Sequence, residues 1–148
     1  MIQRISHVSI TVKDLYHVIE WFRDKFGSTN IWQPYEYKGE MIEQVTGLPG
    51  AHLRVQKVQV QDFVLEFIQY LSPPGKVLKG NTNDVGYPHI GFTVDDINGM
   101  YDDLSRKGVQ FKSAPYKITD KTNPMVGTQV VFLWGPEGMT FELAQPPK

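Results

Sequence analysis

The sequence has no cysteine among its 148 residues. Disulfides, thiolate metal sites and a cysteine nucleophile are excluded, so any metal must be held by imidazole, carboxylate or amide oxygen. An excess of charge is missing too: 15 Lys and Arg stand against 16 Asp and Glu. A general phosphate-backbone binder displays a strong basic surplus, so no nucleic-acid partner is expected. Long apolar runs are also lacking. The longest, such as Val130-Val131-Phe132-Leu133-Trp134, reach about five residues, against the ~20 needed to span a bilayer. The N-terminal stretch MIQRISHVSITVKD alternates polar and apolar residues and has no signal-peptide core. The expectation is a cytoplasmic protein without a membrane partner, of a length that fits one domain or two small halves sharing a core.

What the chain does have is an internal repeat. His7-Val8-Ser9-Ile10-Thr11-Val12-Lys13-Asp14-Leu15 returns as His89-Ile90-Gly91-Phe92-Thr93-Val94-Asp95-Asp96-Ile97. Both copies run His, apolar, small, apolar, Thr, Val, polar, Asp, apolar. A helical period follows each: Leu15, Val18, Ile19, Phe22 and Phe26 share one face, as do Ile97, Met100, Tyr101 and Leu104. Asp14 and Asp96 are the expected N-caps, and Gly27 and Gly108 the expected stops. The halves also end alike, in Leu65-Glu66-Phe67-Ile68-Gln69 and Phe141-Glu142-Leu143-Ala144-Gln145. A hairpin precedes each ending, with strands predicted over Leu53 to Val60 and Thr128 to Trp134. Their turns are Gln61-Asp62 and Gly135-Pro136-Glu137-Gly138. The pattern predicts an α+β chain of two tandem βαβββ modules, about 1–71 and 87–148, joined by a linker over 72–86. Segment 34–50 interrupts the first module without a good counterpart in the second. It is read as a substrate-covering segment with a short helix at Met41 to Val45; a strand plus surface loop is the alternative.

Strand alternation assigns faces. Val8, Ile10 and Val12 turn toward the helix, so His7, Ser9 and Thr11 take the other side; His89, Gly91 and Thr93 match them. Glu66 and Glu142 oppose the apolar Leu65, Phe67, Phe141 and Leu143. A buried, unpaired carboxylate costs several kcal/mol, and two at equivalent positions call for a compensating cation. No Lys or Arg recurs at matching places in both halves. The recurring histidines instead supply neutral nitrogen donors, giving a candidate metal set of His7, Glu66, His89 and Glu142. Such donors suit Zn, Ni, Co, Mn or Fe, and an octahedral ion would keep two positions for water or substrate oxygens. Ser9, Thr11, Thr93 and Tyr70, which continues the Glu66 face, are the candidate substrate-binding residues. Trp32, Tyr35, Tyr37, Tyr87 and Tyr116 are further pocket candidates, and Arg54, Lys117 and Lys121 are candidate grips for an anionic handle. His17 and His52 lack repeated partners and are read as ordinary polar residues.

These motifs resemble the vicinal oxygen chelate superfamily, which includes glyoxalase I, methylmalonyl-CoA epimerase, extradiol dioxygenases, fosfomycin-modifying enzymes and antibiotic-sequestering proteins. The stretch from Val131 to Leu143 is similar to its common ending, with Gly135 where Asp is usual. The resemblance implies modules curled into a half-barrel around one divalent ion, a small-molecule substrate and a homodimer. Glu at position 66 is similar to glyoxalase I and the epimerase. It implies a lyase or isomerase that moves a proton next to a metal-polarised carbonyl through an enediolate, with Glu142 as first base and Glu66 as second acid or base. An extradiol-type dioxygenase and an antibiotic-binding resistance protein are the alternatives.

Overall fold

A strand feeding a capped amphipathic helix, then a meander of three strands, is built twice in the computed structural model, which describes residues 1–77 and 80–148. The chain divides into two compact units, Met1–Leu78 and Lys79–Lys148. The sequence-derived linker over 72–86 includes residues 78 and 79, which lie outside the described residues.

The first unit runs β1 (Val8–Thr11), α1 (Leu15–Phe26), β2 (Tyr35–Lys38), α2 (Glu40–Thr46), β3 (His52–Val60) and β4 (Phe63–Ser72). Its sheet has the order β1-β4-β3-β2, with β1 parallel to β4 and the other pairs antiparallel. Helix α1 starts where predicted: Asp14 accepts a hydrogen bond from the His17 amide at 3.1 Å. It ends at Gly27, whose φ of 63° suits a residue without Cβ. Leu15, Val18, Ile19 and Phe22 are buried, and the Phe22 ring lies 5.1 Å from Phe67 of β4. Leu65, Phe67 and Val58 complete this core.

The second unit repeats the plan with β5 (His89–Thr93), α3 (Ile97–Arg106), β6 (Tyr116–Lys117), β7 (Gln129–Trp134) and β8 (Thr140–Gln145). Its sheet order is β5-β8-β7-β6, with β5 parallel to β8. Asp96 caps α3 by accepting from the Gly99 amide at 2.9 Å. Ile97 and Leu104 of α3 are buried, as are Val131, Leu133, Phe141 and Leu143 of the sheet. The turn between β7 and β8 fixes the residue at 135, because a Cβ there would run into the Phe141 ring. Neither four-stranded mixed sheet closes on itself, so the predicted α+β class is the observed one.

Segment 34–50 differs from its expectation in one respect. It does have a counterpart: β2 is the outer strand of its sheet, as the two-residue β6 is of the other. The addition peculiar to the first unit is α2, which matches the predicted short helix. Its Ile42 is buried with Ala51, Leu53 and Val55, against Tyr35, Ile68 and Tyr70.

Candidate functional site

Strand register delivers the first carboxylate. Val8 pairs with Leu65 and Ser9 with Glu66, so Ser9 and Glu66 project together on the face away from α1. The Ser9 hydroxyl donates to Glu66 Oε1 at 2.7 Å, and His7 Nε2 lies 3.6 Å from the same oxygen. The other oxygen, Oε2, accepts from the Tyr35 hydroxyl at 3.4 Å and stands 3.2 Å from Lys57 Nζ. Lys57 also lies over the Trp32 and Tyr35 rings, 5.3 and 5.9 Å from their centroids.

Burial alone would raise the Glu66 pKa, but the Ser9 hydroxyl, the Lys57 ammonium and His7 outweigh it and bring it below the usual value. Burial likewise pulls Lys57 down, and its contacts with Glu66 and Tyr35 more than reverse this, leaving it raised. The Tyr35 phenol is raised, mainly by burial, so it stays an O–H donor. The cation that buried Glu66 demands is therefore present within the chain. No Lys or Arg recurs at matching places in both halves, and Lys57 serves only one.

The second unit places its pair in the same way. Gly91 pairs with Glu142 and His89 with Thr140. His89 Nε2 is 3.2 Å from Glu142 Oε2, and the His89 ring meets Phe132 edge to face at 5.2 Å. Glu142 is more open than Glu66, with 20% of its side chain exposed against 11%. Gly91 provides no hydroxyl where Ser9 does. Opposite Glu142 on the next strand stands Phe132, where Lys57 stands opposite Glu66. Among the described residues no three His, Asp or Glu side chains are gathered as a metal-holding group. His7–Glu66 and His89–Glu142 are the imidazole–carboxylate pairs at matching places in the two units.

Comparison with known proteins decides the family. The family model of the Glyoxalase/Bleomycin resistance protein/Dioxygenase superfamily matches residues 4–143. The chain belongs to this superfamily. Among curated relatives, a 2-epi-5-epi-valiolone epimerase from Actinomyces sp is 25% identical over 147 residues, covering 97% of this chain and 79% of that protein. The fold is shared with solved superfamily structures. A glyoxalase family protein from Bacillus cereus superposes with a TM-score of 0.82 at 24% identity, over 100% of this chain and 97% of that one. The fosfomycin resistance protein FosX from Listeria monocytogenes, solved with Mn(II) and sulfate, gives 0.63 at 16% identity, over 98% and 93%. This superfamily member thus shares its architecture with proteins of more than one activity.

The remaining sequence candidates fall into distinct places. Thr11 and Thr93 are exposed at the ends of β1 and β5, paired with Ile68 and Ala144. Tyr70 lies on the Glu66 side but packs into the apolar cluster beneath α2. Arg54 is engaged elsewhere: it donates to Glu36 at 2.8 and 2.9 Å and covers the Tyr16 ring. Register pairs it with Glu36 and alternation turns it away from Glu66. His52 contacts the same Glu36 at 2.7 Å. The Tyr87 hydroxyl donates to the Gly138 carbonyl, a structural tie. Tyr116, Lys117 and Lys121 are exposed.

Sequence reasoning missed Lys57 as a partner of Glu66. The signal was there: a two-residue turn at Gln61-Asp62 makes Val60 oppose Phe63, and stepping back along both strands makes Lys57 oppose Glu66.

Proposed function

We propose that this superfamily member is a metal-dependent isomerase or lyase that moves a proton on the carbon next to a carbonyl of a small polar substrate. The residues that would serve as ligands of its divalent cation are His7, Glu66, His89 and Glu142. The donor chemistry fits: each unit offers an imidazole Nε2 beside a carboxylate oxygen, a mixture suited to Mn, Fe, Co, Ni or Zn. The Mn(II) bound by FosX makes Mn(II) the first ion to try. What such an ion supplies when bound is Lewis acidity at the substrate carbonyl oxygen.

The observation that carries this reading is the unequal treatment of the two carboxylates. Glu66 is surrounded by donors from Ser9, Tyr35 and Lys57, which favour its charged form and hold it still. Glu142 faces His89 and is more open. A carboxylate free of a lysine partner can accept a carbon-bound proton and return it, so Glu142 is the base. Glu66 serves foremost as a fixed anion and ligand, and its role as second acid or base is secondary. The epimerase relative supports proton transfer at a stereocentre, with 2-epi-5-epi-valiolone as one substrate to test.

Candidate ketones, thioesters and hemithioacetals incubated with the metal-loaded protein in deuterated water, followed by NMR, provide the test. Exchange at the carbon beside the carbonyl, lost in Glu142→Gln, is the expected result. Absence of exchange with all candidates, together with oxygen-dependent ring opening of a catechol, would replace this reading with the dioxygenase. One observation favours that second reading: with Glu66 retained by Lys57, the donors left are two imidazoles and one carboxylate, the set used by non-haem iron oxygenases.

A further inference from the structure

We propose that Lys57 is a built-in competitor for the metal at Glu66, setting how tightly the chain binds a divalent ion. The inference rests on the metal-dependent reading above and concerns a residue which that reading leaves out. Lys57 Nζ sits 3.2 Å from Glu66 Oε2, while His7 approaches the other oxygen, Oε1, at 3.6 Å. The ammonium is held there from a second side by Trp32 and Tyr35. Its backbone is fixed as well, since β3 pairs with β4 on one side and the Trp32 amide donates to the Lys57 carbonyl on the other.

The second unit shows that this cation is not required to build the strand. Phe132 occupies the equivalent position opposite Glu142, and the Lys112 amide donates to the Phe132 carbonyl as the Trp32 amide does to that of Lys57. Cation and aromatic have exchanged places: Lys57 beside Trp32 in one unit, Phe132 beside Lys112 in the other. A divalent ion approaching Glu66 meets a positive charge already in contact with the carboxylate. That charge repels the ion and shares the anion's lone pairs, both of which weaken binding. Lys57 thereby keeps buried Glu66 charged and oriented before any ion arrives, at the cost of affinity. It is a positioning residue acting through Glu66.

The experiment is a calorimetric titration of Mn(II), Zn(II) and Ni(II), each as the free ion, into the full chain and its variants. Lys57→Gln should bind at least one ion about tenfold more tightly than the unsubstituted chain. Lys57→Met should do the same, and Lys57→Arg, which keeps the charge, should not. The gain should disappear in the Lys57→Gln, Glu66→Gln double variant, since it depends on freeing that carboxylate. A purely structural lysine would give the opposite sign, with the variants binding less tightly. Equal or weaker binding by folded Lys57→Gln and Lys57→Met, with clear binding by the unsubstituted chain, overturns the proposal and leaves the metal reading intact. Binding by the Lys57 variants alone supports it. No binding of any ion by any protein overturns both.

Discussion

Lys57 and Glu66 face each other across β3 and β4 at 3.2 Å, whereas the residue facing Glu142 across β7 and β8 is Phe132. The duplicated halves therefore keep the same carboxylate while changing its company. A retained side chain in two environments is a common route to two roles, one group held charged and one left to exchange protons.

The first prediction separates those roles. Glu142→Gln should lower the exchange rate at the substrate carbon by about 100-fold or more, the usual yield of a positioned general base, with little change in thermal melting. Glu66→Gln should act chiefly on metal retention, leaving Lys57 without its charged partner. Single-turnover exchange measured beside metal content distinguishes the two. Equal loss of exchange in both variants at equal metal loading would remove the division of labour.

Gly91 offers a converse experiment. A Cβ at this position meets nothing within 4 Å, and Ser9 occupies the matching place in the first half. Gly91→Ser should fold normally, with stability within about 0.5 kcal/mol of the parent. The new hydroxyl would donate to Glu142 as Ser9 does to Glu66, and slower proton exchange is expected. Unchanged kinetics would show that Glu142 tolerates a hydroxyl donor in addition to His89.

A third prediction concerns the glutamines that close both repeated endings. Gln145 Oε1 accepts from the Ile97 amide at 2.8 Å, and Gln69 Oε1 from the Leu15 amide at 3.3 Å, tying each helix start to the carboxylate-bearing strand. Ile97 is fully buried. Gln145→Leu should cost about 1–3 kcal/mol, the penalty of leaving a buried amide unsatisfied. Urea denaturation measures it, and the shorter Gln145 contact should matter more than that of Gln69.

Acid sensitivity should appear at Glu36. The Arg54 hydrogen bond foremost, then that of His52, holds the Glu36 carboxyl below the usual range. A depressed folded pKa gives stability that is present above the unfolded value, about 4.3, and is lost as pH falls through the folded one. The melting difference between the parent and Glu36→Gln should hold from neutral pH down to that range and close below it. A difference independent of pH would mean that Glu36 acts by shape rather than charge.

Much of this was legible in the sequence because repetition supplies a second measurement. His7 with His89 and Glu66 with Glu142 stand out from other polar residues because each is repeated with its neighbours, and period-two alternation then assigns the face. The caps Asp14 and Asp96 followed from local chemistry. What escaped was whatever differs between the halves. Lys57 has no repeated counterpart, so the repeat does not mark it, and only hairpin register reveals it. Tyr35 was visible as an aromatic, but its reach to Glu66 depends on β2 pairing with β3, a contact between strands separated by α2. The anchoring by Gln69 and Gln145 was present in the repeat as letters, without a geometry to give it meaning.

Helix α2 has a consequence for access. By resting Ile42 on Leu53 and Val55, beside Ile68 and Tyr70, it roofs the Glu66 side of the first sheet toward the C-terminal end of β4. At the opposite end stands His7, with 39% of its side chain exposed. A molecule reaching Glu66 meets the roof on one side and the partly exposed histidine on the other, so its bulk is sorted by what Tyr35 and the roof leave uncovered. Size selection in this half would then reside in a seven-residue helix that the other half lacks.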